Sequence, residues 1–101
     1  MWVIVMFDLP TGSADERKCY AQFRKFLLKD GFTMMQYSVY ARHCASEDNA
    51  AVHAMRVEGA LPPDGEVRLL RITDKQFERM QVFWARKRKP PEQAGVQLQL
   101  F

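Results

Sequence analysis

Cysteine and histidine are scarce in this chain, with two of each in 101 residues. Cys19 and Cys44 have no zinc-ligand spacing, and two cysteines do not make the disulfide framework of a small secreted domain. His43-Cys44 and His53 leave a tetrahedral site without a fourth ligand, which excludes zinc. The five glycines are dispersed and form no phosphate-cradling loop. Long hydrophobic runs are absent too: Trp2 to Phe7 is far short of the roughly 20 apolar residues that span a bilayer. The start lacks the basic segment and small-residue cleavage site of a signal peptide. These absences point to a soluble protein of the reducing cytoplasm with no membrane partner.

What is present is an ordinary globular composition, 48% hydrophobic and 27% charged, in a chain of single-domain length. Lys and Arg outnumber Asp and Glu by 15 to 12, giving a net charge of +3. That mild excess leans towards nucleic acid or another acidic partner.

Trp2-Val3-Ile4-Val5-Met6-Phe7 is continuous, apolar and rich in β-formers, as in a central strand covered on both faces. Asp8-Leu9-Pro10-Thr11-Gly12 ends it with turn chemistry. Ser13 and Glu16 form a capping box opening a helix whose Cys19, Tyr20, Phe23, Phe26 and Leu27 share one face. Gly31 stops that helix. Phe32 to Gln36 and Ser38 to Cys44 read as the strands of a hairpin with almost no linker. Ser46-Glu47-Asp48 opens a second helix through Ala50, Val52 and Met55 to near Gly59. Pro62-Pro63-Asp64-Gly65 breaks the chain before a strand from Glu66 to Thr73. Met80 to Ala85 is expected as a fifth strand.

This order predicts an α+β fold, a ferredoxin-like β-α-β-β-α-β sandwich with an extra C-terminal strand. The first and third strands are expected at the sheet's centre, with both helices on one face. The domain spans residues 1–85. Residues 86–101 read as a basic linker, Arg86-Lys87-Arg88-Lys89, then Pro90-Pro91 and a tail strand. In that tail Val96, Leu98 and Leu100 alternate with polar residues, the pattern of a strand added to a sheet edge, for which a second copy is one candidate.

Asp8 stands at the end of a buried strand, where a carboxylate can hold Mg²⁺ through one or two oxygens plus water. One aspartate alone makes a poor site, and on these residues alone Asp8 reads more readily as an acceptor in its turn. A two-fold axis pairing Asp8 with its copy would supply a second carboxylate. Arg17, Lys18, Arg24 and Lys25 repeat at seven-residue spacing opposite Phe23 and Phe26. They form a cationic stripe suited to phosphates or a plain solvated face. Arg42 on the third strand, Arg68 and Arg71 on the fourth, and the run Arg86, Lys87, Arg88 and Lys89 add candidate backbone contacts, the faces of the strand arginines being open. Tyr37 and Tyr40 are expected on the sheet or at a dimer interface, with Phe83 and Trp84 beside the basic run facing a partner. Nothing here reads bases.

Several blocks resemble one family when taken in order. They are Val3-Ile4-Val5-Met6-Phe7-Asp8-Leu9-Pro10, Arg24-Lys25-Phe26-Leu27-Leu28-Lys29-Asp30-Gly31-Phe32, Gln36-Tyr37-Ser38-Val39-Tyr40, Leu61-Pro62-Pro63 and Val67-Arg68-Leu69-Leu70-Arg71-Ile72-Thr73-Asp74-Lys75-Gln76. Together they resemble the CRISPR-associated Cas two proteins, closest to members that accompany type II systems, from about residue 2 to residue 84. The resemblance implies a ferredoxin-like homodimer with metal-dependent phosphodiesterase activity in some members. It also implies assembly with the Cas one integrase on double-stranded DNA during spacer acquisition. Asp8 occupies the family's metal-carrying position, and Arg17 and Lys18 match its basic helix start.

Four functions compete. The first is a Mg²⁺-dependent endonuclease acting through paired Asp8 on single-stranded RNA or on DNA. The second is a non-enzymatic scaffold holding duplex DNA and docking the integrase. An RNA-recognition module has the same element order, but Ser38-Val39-Tyr40-Ala41-Arg42-His43 lacks its basic-Gly-aromatic run. A related ferredoxin-like toxin ribonuclease is the fourth.

Overall fold

The structure is a computed structural model that describes residues 1–85. The expected β-α-β-β-α-β order is present: β1 (Trp2–Asp8), α1 (Ala14–Lys29), β2 (Thr33–Gln36), β3 (Val39–His43), α2 (Glu47–Gly59) and β4 (Glu66–Ile72). A short helix, α3 (Asp74–Glu78), follows. The four strands form an antiparallel sheet in the order β2-β3-β1-β4, which places the first and third strands at the centre.

β1 alternates between two environments. Val3, Val5 and Phe7 point into a core shared with Phe23 and Leu27 of α1 and with Ala50 and Val57 of α2. Both helices therefore cover one face, as the apolar periodicity requires. Trp2, Ile4, Met6 and Asp8 project to the opposite, second face. Phe7 is the hub of the core, its ring packed within 5.1 to 5.7 Å of the rings of Tyr20, Phe23 and Tyr40.

Both long helices begin on the expected serine caps. Ser13 and Glu16 exchange hydrogen bonds in a full capping box, and Ser46 accepts from the Asn49 amide. The α2 core face includes a histidine. Val52 and Met55 are exposed, while Ala50, His53 and Val57 carry the buried stripe. A histidine occupies that stripe because its polarity is met from α1. His53 Nδ1 donates to Asp30 at 2.7 Å, Arg56 Nη1 donates to the other oxygen at 3.0 Å, and the His53 ring lies edge-on to Phe32. The carboxylate only accepts, so Nδ1 carries the proton.

Two sequence expectations are corrected here. Met80 to Ala85 forms neither strand nor helix, and the residues before it form the short helix α3. Thr73 and Gln76 cap α3 reciprocally, and Phe77 stacks on Trp2 at 3.9 Å and 7°, holding the helix against the end of the sheet. Tyr40 is 1% exposed within the helix-side core, so it is no interface residue. The basic run and the tail strand lie outside the described residues.

Burial tends to raise the Asp30 carboxyl, but the hydrogen bonds and charges of His53 and Arg56 outweigh it and hold the group below the usual carboxylate range. A depressed carboxylate contributes stability above its unfolded value near about 3.9 and loses it as pH falls through its folded value. Asp30→Asn should therefore cost about 2 kcal/mol at pH 7 in urea unfolding. The deficit should shrink as pH drops below about 4. A constant deficit down to pH 3 would contradict this account. Gly65 adopts φ +98°, and a Cβ there would sit 2.7 Å from Leu9 Cδ2 and 2.8 Å from the Asp8 carbonyl oxygen. Gly65→Ala should lower stability by about 2 kcal/mol, read from the same unfolding curves.

Candidate nucleic-acid site around Asp8

The even-numbered side chains of β1 emerge on the second face, and Asp8 closes the series, exposed at the strand's end. Antiparallel pairing sets Glu66 opposite Asp8, Arg68 opposite Met6 and Leu70 opposite Ile4. Cross-strand partners share a face, so Asp8, Glu66 and Arg68 gather on one end of the sheet. They line an open cleft of about 440 Å³ together with Met6, Phe7, Tyr37, Ser38 and Val39. Glu66 Oε1 accepts from Arg68 Nε at 2.8 Å, and both side chains are largely exposed.

The far wall of the cleft is a strained turn. Ser38 has φ 62°, a left-handed conformation that costs a serine energy and persists only where contacts hold it. Two contacts do so. The Ser38 carbonyl accepts from the Phe7 amide at 3.1 Å, and its hydroxyl shares a 2.9 Å hydrogen bond with the Tyr20 hydroxyl. Tyr20 stacks on Tyr37 with ring centroids 6.1 Å apart. Burial pushes the Tyr20 phenol up to about 12, so it stays neutral and keeps this bond at working pH. The β2–β3 turn is thereby tied to the residue before Asp8 and to α1.

The remaining sequence candidates separate by location. Arg17, Lys18, Arg24 and Lys25 are exposed on α1, in the helix layer across the sheet from the cleft. Arg17 Nη1 donates to the Thr11 carbonyl at 3.2 Å, tying the stripe's start to the loop after Asp8. Arg42 is corrected as a backbone-binding candidate. It points to the helix side, half-buried, with its guanidinium against Gly31, where a Cβ would stand 2.0 Å from Nη1. There its charge lies beside the C-terminal turn of α1, and its Nε is buried without a partner. Phe83 and Trp84 are 83% and 69% exposed. Tyr37 stacks within the cleft wall.

Neither histidine reaches Asp8. His43 Nε2 lies 3.2 Å from Asp74, at the Trp2 end of the sheet, and His53 is buried on Asp30. Glu66 and Ser38 were not among the expected site residues, and Arg68 was expected only as a backbone contact whose face the sequence left open. A signal for Glu66 and Arg68 was available: once β1 and β4 are antiparallel neighbours, period-two alternation puts them on one face. Which face depended on register, which composition does not set.

The cleft carboxylates are hard oxygen donors of the kind Mg²⁺ prefers. Among the described residues no group of three His, Cys, Asp or Glu side chains could hold a metal ion. One chain thus offers the one or two carboxylates that Mg²⁺ commonly takes alongside water and phosphate oxygens.

Comparison with known proteins agrees with this frame. A family model described as "CRISPR associated protein Cas2" matches residues 1–80. A protein of Parvibaculum lavamentivorans named CRISPR-associated endoribonuclease Cas2 is 61% identical over 101 residues, all of both chains. One of the same name from Flavobacterium psychrophilum is 46% identical over all of this chain and 88% of its own. The crystal structure of Streptococcus pyogenes Cas2 at pH 6.5 superposes with a TM-score of 0.60 over 83% of this chain and all of that one, at 19% identity, a likeness of fold. No helix among the described residues is long and apolar enough to cross a membrane. With its ferredoxin-like order, its exposed Asp8 at the end of β1 and a match along residues 1–80, the chain belongs to the CRISPR associated protein Cas2 family.

Proposed function

We propose that this chain is a Mg²⁺-dependent endoribonuclease of CRISPR defence, acting as a homodimer through the Asp8 cleft. The observation that carries the reading is the exposed Asp8 carboxylate, at the mouth of a cleft whose other charged groups are Glu66 and Arg68. The relatives named as endoribonucleases favour RNA as the polymer. Cleaving a phosphodiester brings a nucleophilic oxygen onto phosphorus and breaks one P–O bond. The nucleophile gives up a proton, and the leaving oxygen takes one. Mg²⁺ held at Asp8 would supply positive charge to the phosphate oxygens. The chain's own part is to fix Asp8 through the paired end of β1 and to present the phosphate to it. No histidine stands at the cleft, so the proton transfers fall to solvent or to carboxylate.

The homodimer reading rests on apolar surface at the second face and after α3. Leu70, Met80, Val82, Phe83 and Trp84 are exposed there, more than a small soluble monomer commonly leaves in contact with water. Two copies meeting across that side would bring two Asp8 carboxylates towards one axis. In the same reading the dimer acts with the Cas one integrase on double-stranded DNA, through the tail after residue 90.

The scaffold remains the second reading, favoured by one observation. The α1 stripe of Arg17, Lys18, Arg24 and Lys25 lies across the sheet from the cleft, where it can follow a backbone without serving Asp8.

Two experiments test these readings. Asp8→Asn should lower Mg²⁺-dependent cleavage of labelled single-stranded RNA by about 100-fold or more while the protein stays folded, since Asp8 is exposed. EDTA should abolish the wild-type activity. Equal cleavage by both proteins would move the chemistry away from Asp8, and no cleavage by either, with salt-sensitive DNA binding intact, would leave the scaffold. Removing residues 90–101 should weaken the dimer or its complex with the Cas one integrase in light scattering. Unchanged masses would remove the tail from assembly.

A further inference from the structure

The Asp8 cleft poses an electrostatic problem that the α1 stripe does not solve. It presents two carboxylates, Asp8 and Glu66, to a polymer carrying one negative charge per nucleotide. Among the residues lining it, Arg68 is the one cation. The other candidates among the described residues face elsewhere. Arg17, Lys18, Arg24 and Lys25 lie on the helix layer, Arg42 folds over Gly31, and Arg71 pairs with Val3 on the helix side of the sheet.

We propose that Arg68 is a substrate-contacting residue of this cleft, its guanidinium oriented by Glu66 to grip the phosphodiester on which Asp8 acts. The inference rests on the Asp8 cleft being the cleavage site. Three observations carry it. Register fixes the side: Arg68 pairs with Met6 and Glu66 with Asp8, so the cation stands two residues from the carboxylate's partner on the same strand and face. Geometry fixes the fork: Glu66 engages Nε at 2.8 Å, and among the described residues no other hydrogen bond engages the guanidinium, which leaves Nη1 and Nη2 to a phosphate. Position ties its access to that of Asp8: in the single protomer the Arg68 side chain is 72% exposed at the rim of the cleft, so a dimer that leaves Asp8 within reach of RNA leaves Arg68 within reach too.

A bare surface ion pair is the plain alternative, and such pairs contribute little to stability. That weakness suits a binding role, because the guanidinium gives up little when a phosphate arrives. A planar fork also matches phosphate oxygens in pairs, which an ammonium does not. Charge placed beside a phosphorus that gains negative character in the transition state lowers the barrier as well as the Kd.

The test uses the full-length protein and a fluorescein-labelled single-stranded RNA. In the Asp8→Asn background, which removes cleavage from the readout, adding Arg68→Gln should weaken binding several-fold. It should also flatten the plot of log affinity against log salt by about 0.7, one phosphate contact on a single strand. In the otherwise wild-type protein Arg68→Gln should raise KM and lower kcat by at least about 10-fold. Arg68→Lys should restore the salt slope but not kcat. Glu66→Gln should lower kcat without moving the Mg²⁺ concentration for half-maximal rate.

An unaltered salt slope with unaltered kcat and KM in Arg68→Gln, while Asp8→Asn still abolishes cleavage, overturns the role of Arg68 and leaves the cleft reading standing. Undiminished cleavage by Asp8→Asn overturns the cleft reading instead. A shifted Mg²⁺ midpoint in Glu66→Gln would make Glu66 a metal ligand and overturn its orienting role. Thermal melting of each variant separates these outcomes from misfolding.

Discussion

Everything in this domain hangs on β1 being hydrogen-bonded along both edges, to β3 on one side and β4 on the other. A strand paired on both sides has no freedom to rotate, so each of its side chains is committed to one of two faces. Val3, Val5 and Phe7 go to the helices and assemble the core. Ile4, Met6 and Asp8 go to the second face, where Met6 and Asp8 line the cleft. Stability and chemistry are thus assigned to alternate residues of one seven-residue segment. The aromatic cluster on Phe7 keeps the strand seated, and a shift of one residue would bury Asp8 while exposing Phe7.

Much of this was legible in the residues. The continuous apolar run of β1 announced a central strand, and the Ser13–Glu16 and Ser46 caps announced both long helices. What escaped were features decided by tertiary contact. Met80 to Ala85 has the composition of a strand, but the Thr73–Gln76 box and the stacking of Phe77 on Trp2 turn the preceding segment into a helix. The box itself was readable. The stacking partner, 75 residues away, was not. Tyr40 and Arg42 sit on alternate positions of β3 that both face the helices, an orientation set by pairing with Val5 and Val3. The role of His53 could not be read from α2 alone, because its partner Asp30 caps the C-terminus of α1.

The candidate site shows the same division. Asp8 could be named from its place at the end of a strand and from resemblance. Glu66 and Arg68 follow only from the register between β1 and β4, and the sequence contains no marker of that register except its glycine-bearing turn. The two basic systems of the molecule also part company in space. The α1 stripe lies over the helix layer and Arg68 over the opposite face, so a nucleic acid held by one is not thereby delivered to the other.

The close approach at Gly65 bears on how the chain tolerates change. With no Cβ, the turn after α2 rests directly on the backbone of Asp8 and Leu9, one residue before β4 begins. The turn works as a length gauge: the chain arrives at Glu66 with its side chain already aimed at the face that holds Asp8. Lengthening the segment by one residue between Gly65 and Arg68 would invert the strand's parity. Such an insertion would send the arginine to the helix side and bring Val67 or Leu69 to the cleft. Substitutions along the surface of β4 are therefore tolerable in a way that single-residue insertions and deletions before it are not, and natural variation in loop length should be pushed to the far side of the prolines.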